Sequence, residues 1–322
     1  MIFKSKKYEI KRCFFLFKIM SKLNIKFLIT FISFAFIGSS IYGNFNSLIN
    51  QRITQEEIFW LIFATIFSFL SIIINAYAWK LLINSLGCDS NKLNIIQIFL
   101  NTNIYKYLPG GIWHFVSRYN ILRLNFSIEK SVESILLEPL LMLVSALLFV
   151  PLGGFNIYIY IICWSSTLLF LTGFRKFIIR KLKLMKATIF ANNEKVNSVK
   201  LVEIDQDFSP EVVYPYKSLF VEMIFILFRY LGFFYCLKAF SIGSLISQSE
   251  LISSFSLAWI IGLVVPAAPG GLGVFESVIL FGLGSHLPEA PLLASLLFYR
   301  LIATIADLFA ALLYPVKRLF KV

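Results

Sequence analysis

Residues 251–287 read LISSFSLAWIIGLVVPAAPGGLGVFESVILFGLGSHL, two apolar stretches separated by Pro269-Gly270-Gly271. The segment 93–124 is broken in the same way by Pro109-Gly110-Gly111. Proline stops an incoming helix and glycine permits a tight turn, so each break leaves unpaired backbone N–H groups at the start of the next helix. The surroundings of the two breaks decide what they mean. Of the 322 residues 58% are hydrophobic, 17% aromatic and 15% charged, with a mean hydropathy of +0.80. A soluble domain carries about a quarter charged residues, so a water-soluble enzyme, a disordered chain and a disulfide scaffold are excluded. The expected fold class is an all-α polytopic integral membrane protein. In that setting irregular backbone at membrane depth is tolerated only where protein or a watery cavity surrounds it.

About 20 apolar residues cross the hydrocarbon core as a helix. Six stretches meet this requirement: 25–45, 58–84, 131–150, 155–173, 216–240 and 290–315. The net charge of +13 orients them. Residues 1–26 hold eight Lys and Arg, 84–131 hold five (Lys92, Lys106, Arg118, Arg123, Lys130), 173–217 hold nine and the tail after 315 holds three. With Lys80, 26 of the 30 basic residues fall on one side, which the positive-inside rule makes cytoplasmic. Both termini are then cytoplasmic and the number of crossings is even. Parity requires 93–124 and 251–287 each to enter and leave on one side. The reading is six full spans plus two Pro-Gly-Gly-broken hairpins, which either re-enter or cross completely.

The chain is expected to form a single transmembrane domain, 1–322. It comprises a basic arm (1–26) leading into an uncleaved first span, a first repeat (58–150), a cytoplasmic loop (174–215) and a second repeat (216–315). The loop runs from Arg175-Lys176 through Arg180-Lys181 and Lys183 to the acidic Glu203-Ile204-Asp205-Gln206-Asp207, and its basic half suits contact with anionic lipid. The spans 58–84 and 216–240 run in opposite directions, each followed by a glycine (Gly87, Gly243) and then a broken segment. Paired interruptions in two inverted halves point to a transporter-type site. The coincidence of two Gly/Pro-rich loops is the plainer alternative.

The chemistry at each break suits an anion, because the next helix starts with free N–H groups and a partial positive charge. Gly270-Gly271-Leu272-Gly273 is no dinucleotide fingerprint, since no strand precedes it. Arg229, Arg300 and Glu138 fall near the middle of spans, where charges cost about 2.5–3.5 kcal/mol each on insertion scales. They should face inward. Glu222 and Arg229, like Arg300 and Asp307, are seven residues or about 10 Å apart along one helix, too far for a direct bond, so their partners belong on other helices. A closed ion-pair network and a substrate-lining polar cavity both satisfy this pattern. His114 and Arg118, spaced i, i+4 after the first break, share a helix face that either points at a lipid headgroup or forms a cytoplasmic interface. The four cysteines, Cys13, Cys88, Cys163 and Cys236, form no C-x-x-C pair, and the two histidines lie far apart, so no metal and no cofactor is expected.

Lys106-Tyr107-Leu108-Pro109-Gly110-Gly111-Ile112-Trp113, followed by Arg118, and Pro266-Ala267-Ala268-Pro269-Gly270-Gly271-Leu272-Gly273-Val274-Phe275-Glu276, with Tyr299-Arg300 in the next helix, resemble the paired signatures of the lysylphosphatidylglycerol synthase transmembrane (flippase-domain) family. The resemblance covers nearly all of the chain beyond about residue 20. It implies a bacterial or archaeal inner-membrane protein similar to the part of the multiple peptide resistance factor that moves aminoacylated phosphatidylglycerol between leaflets. Carried onto this sequence, Pro109-Gly110, Arg118, Pro269-Gly270-Gly271, Glu276 and Arg300 would lie at or near a central cavity. The full-length synthases continue into a cytoplasmic transferase domain, whereas this chain ends seven residues after Pro315, so it is not expected to make the lipid.

The leading expectation is therefore a lipid translocase acting on an anionic phospholipid or another lipid-linked headgroup. The candidate substrate-binding residues are Pro109, Gly110, Gly111, His114, Arg118, Glu138, Glu222, Arg229, Pro269, Gly270, Gly271, Gly273, Glu276, Arg300 and Asp307. The arginines and helix N-termini would meet phosphate, and the acids would balance them when empty or meet a headgroup amine. Expected partners are membrane lipids and a separate lipid- or glycan-modifying enzyme, with no nucleic acid. Two alternatives remain: an integral-membrane transferase for a lipid-linked sugar or phosphate, and a membrane anchor subunit for such an enzyme.

Overall fold

The computed structural model describes residues 55–108, 112–171, 213–265 and 273–313. The expected span at 25–45, most of the 174–215 loop, and both Pro-Gly-Gly triplets lie outside these residues. The described parts are all-helical. Helices run α1 Gln55–Ser85, α2 Ile95–Asn103, α3 Trp113–Leu122, α4 Ile128–Leu147, α5 Ile157–Ser165, α6 Tyr216–Ala239, α7 Gln248–Val264, α8 Val274–Leu283 and α9 Glu289–Leu312. Among the described residues, four stretches are long and apolar enough to cross a membrane: α1, Ile128–Gly153 (α4 with the 3-10 turn after it), α6 and α9. The apolar stretch expected at 155–173 is a nine-residue helix and a five-residue 3-10 turn as far as it is described.

The faces of α1 show what solvates the molecule. Ile58, Phe59, Ile62, Ile66 and Leu70 point outward, while the stripe that meets α6 is small and polar: Ala64, Ser68, Ser71, Asn75 and Ala78, with the large buried residues Ile72, Trp79, Leu82 and Ile83 gathered toward the C-terminal half. A soluble helix has the reverse arrangement. Membrane helices bury small residues because hydrocarbon already solvates leucine, and close backbone approach supplies the packing.

α1 packs antiparallel on α6. Near one end Ser218 Oγ donates to the Ala78 carbonyl at 2.7 Å. Further along, the Phe67 and Phe228 rings lie 5.4 Å apart, and Trp60 stacks on Tyr235 at 5.7 Å. A Cβ at Gly232 would sit 2.5 Å from Ser68 Oγ and 3.4 Å from the Ala64 carbonyl oxygen, so glycine permits this approach.

The remaining helices follow from shared ends. Lys130 Nζ donates to the Gly87 carbonyl at 3.4 Å, so α4 starts beside the end of α1. The far end of α4 meets α7, where Ser253 Oγ donates to the Val150 carbonyl at 2.6 Å. α9 starts beside the end of α6, with Phe240 and Phe298 5.4 Å apart and Ser295 Oγ donating to the Cys236 carbonyl at 3.3 Å. Rings then lock α7 and α8 onto α6 and α9: Phe233 stacks on Phe255 at 5.7 Å, and Phe275 lies 5.7 Å from Tyr299.

Gly232→Leu is expected to force α1 and α6 apart at a cost of about 1–3 kcal/mol and to lower the unfolding temperature in detergent. Leu227→Ala, on the outward face of the same helix, should leave it nearly unchanged. Thermal melting followed by size-exclusion chromatography measures both.

Candidate functional site

A charge in hydrocarbon needs an opposite charge or water. Among the described residues, three ion-pair centres meet this need inside the bundle. The first joins α3 to α4: Arg118 is fully buried, and its Nη1 lies 2.5 Å from both Glu138 oxygens. Its Nε donates to Thr102 Oγ1 on α2 at 3.0 Å, and its guanidinium lies 3.8 Å from the Phe99 ring centre and 5.1 Å from that of Trp79. Pro139, next to Glu138, supplies no N–H to the ladder of α4.

The second centre is Asp307 on α9, which collects donors from three elements. Asn103 Nδ2 donates to Oδ1 at 2.9 Å and Tyr107 Oη to Oδ2 at 2.6 Å. Lys106 Nζ lies 2.7 Å from Oδ2, and Arg229 Nη2 of α6 lies 3.5 Å from Oδ1. Two cations thus share one carboxylate, and the buried Nε of Arg229 has no hydrogen-bond partner among the described residues.

The third centre is at the start of α8. Gly273 has φ +92°, in the left-handed region that favours glycine. Its N–H donates to Glu276 Oε2 at 2.8 Å, and Glu276 Oε1 pairs with Arg300 of α9. The sequence expected the N–H groups after this break to await an anion. The Gly273 N–H instead meets the helix's own Glu276, whose charge also satisfies the dipole.

The expectation that Glu222, Arg229, Arg300 and Asp307 find partners on other helices holds for three of them. Glu222 is 2% exposed and its Oε1 has no partner among the described residues. Arg118 faces the interior and Glu138, while His114 lies against Phe115 with no described partner for its Nδ1. Pro109, Gly110, Gly111, Pro269, Gly270 and Gly271 fall outside the described residues.

Two sequence readings change. Lys106 and Arg118 were counted as cytoplasmic-loop charges, yet the structure pairs them with Asp307 and Glu138. Asn103, Tyr107 and Thr102 were missed as members of these centres. Their signal was the polar run Asn101-Thr102-Asn103 inside an apolar segment. No group of three or more His, Cys, Asp or Glu side chains among the described residues could hold a metal ion.

The helices and buried charges define a multi-pass membrane protein with a charged interior. Residues 23–311 match the lysylphosphatidylglycerol synthase transmembrane region, and the chain belongs to that family. No curated protein matches it.

Arg118→Ala would leave Glu138 buried and unpaired, at an expected cost of about 3–5 kcal/mol. The double change Arg118→Met with Glu138→Leu removes both charges and should recover most of that loss. Equal melting temperatures for the single and double variants would show that the pair is not the cause.

Proposed function

We propose that this protein is a lipid translocator that admits the phosphate-bearing headgroup of an anionic phospholipid to its interior while the acyl chains stay in the bilayer. The observation that carries this reading is the surplus of cations at Asp307. Lys106 and Arg229 face one carboxylate, and Arg229 has a buried N–H that no described group accepts. A phosphate there would accept the spare donors and neutralise the excess charge, in the charge-assisted manner of arginine–phosphate contacts. Membership of the family supports a lipid-related role.

The topology supports the same reading. α1 ends beside the start of α4, and α6 ends beside the start of α9, so the intervening segments 86–127 and 240–288 each return to the side they left. On this reading both are re-entrant hairpins in inverted halves, within six full spans. They bring Lys106, Tyr107 and Glu276 to α9 at membrane depth, as broken helices do in transporters. Positive-inside counting favours cytoplasmic termini, also with Lys106 and Arg118 removed from the loop count, and the family resemblance favours a bacterial or archaeal inner membrane. Arg300 and Arg118 would complete the route, with Glu138, Glu276 and Asp307 holding them between headgroups.

In proteoliposomes carrying fluorescent phosphatidylglycerol, the wild-type protein should speed movement between leaflets. Arg229→Ala and Arg300→Ala should lower the rate at least tenfold while the protein still elutes as a folded species. Unaltered movement in folded Arg229→Ala protein would refute the proposed role of the Asp307 centre.

A further inference from the structure

Four acids lie inside the described bundle, and three are bound to cations. The fourth is Glu222 on α6, 2% exposed, with an Oε1 that no described group donates to. The register of α1 on α6 identifies what faces it. Ser218 meets Ala78 and Gly232 meets Ser68, so Glu222 lies level with Asn75 on the buried stripe of α1. Asn75 is 5% exposed, and its Oδ1 also lacks a donor among the described residues. Two buried acceptors therefore sit at one level of the same interface, and a single proton would satisfy both.

Among the described residues, the charged surroundings provide no cation for Glu222. From α4 it faces Glu138, a like charge close enough to act on it, whose own cation is Arg118 of α3. α1 offers the neutral Ser71 and Asn75. α7 offers no titratable group at this level, since its acid, Glu250, is in the first turn at the far end. On α9 Asp307 is already shared by Lys106 and Arg229, and Arg229, on Glu222's own helix, lies about two turns away. His114 is one turn from Arg118 on α3. An ionised carboxylate buried without a partner is far costlier than a protonated one.

We infer that Glu222 is a proton-binding site whose carboxyl donates to Asn75 and whose proton accompanies the anion bound at Arg229 and Lys106. Ionised Glu222 would cancel the cation surplus of the interior, whereas protonated Glu222 leaves it available. Anion and proton then bind together, each strengthening the other by linkage. On losing its proton, Glu222 becomes a second buried carboxylate beside Glu138, and the two like charges repel. The anion half of this inference rests on the translocator reading, while the proton half rests on the contacts of Glu222 alone.

Infrared spectroscopy of the purified wild-type protein at neutral pH should show a protonated-carboxyl band that is lost in Glu222→Gln and kept in His114→Gln. Absence of the band, or its persistence in Glu222→Gln, would overturn the proton site. Binding of glycerophosphoglycerol, a phosphodiester of constant charge over this range, should weaken several-fold as the pH rises from 6 to 9 for wild type. It should be pH-independent for Glu222→Gln. The same pH dependence in both would overturn the linkage. Failure of both proteins to bind the phosphodiester, with the band present, would reject the anion reading and the linkage while leaving the proton site standing.

Discussion

α9 carries an arginine and an aspartate about 10 Å apart on one face, and the rest of the interior is arranged around them. Arg300 holds Glu276 at the start of α8, and Asp307 holds Asn103, Lys106 and Tyr107 just before the break in the first segment. Charge in hydrocarbon is tolerated only when paired or hydrated, so each pairing fixes where a break in the chain can lie. The two broken segments are thereby pinned to one long helix, by opposite signs two turns apart.

Packing alone would not place them. The α1–α6 seam combines small residues, with Gly232 against Ser68 and Ala64, and ring contacts such as Phe67 on Phe228, and hydrocarbon offers little reason for one apolar face to choose another. The aromatic cluster of Phe233, Phe255, Phe275 and Tyr299 seats α7 and α8. The ion pairs then set depth.

The long helices were legible in the sequence because runs of some 20 apolar residues have few other uses, and α1, α6 and α9 coincide closely with the expected 58–84, 216–240 and 290–315. Arg229, Arg300 and Glu138 were legible as charges inside such runs, and the seven-residue spacings showed that their partners had to come from elsewhere. Counting Lys106 and Arg118 among the loop charges has a physical reason: a lysine three residues before Pro109 and an arginine nine residues after it have the same local pattern in a loop as in a segment packed into the bundle, and only the family resemblance puts Arg118 near a central cavity. Only tertiary contact distinguishes the two. Asn103 and Tyr107 are neutral and leave no charge signal. The isolation of Glu222 is invisible in one dimension, since it depends on which face of α1 meets α6.

The central claim is that the interior has a surplus of positive charge at Lys106 and Arg229 that an anionic headgroup fills. Native mass spectrometry of the protein extracted directly from its membrane tests this most directly. The account predicts that anionic phospholipid is retained by wild type and lost from a folded variant carrying Lys106→Met and Arg229→Leu. Retention of only zwitterionic or neutral lipids, or equal retention of anionic lipid by the variant, would contradict it.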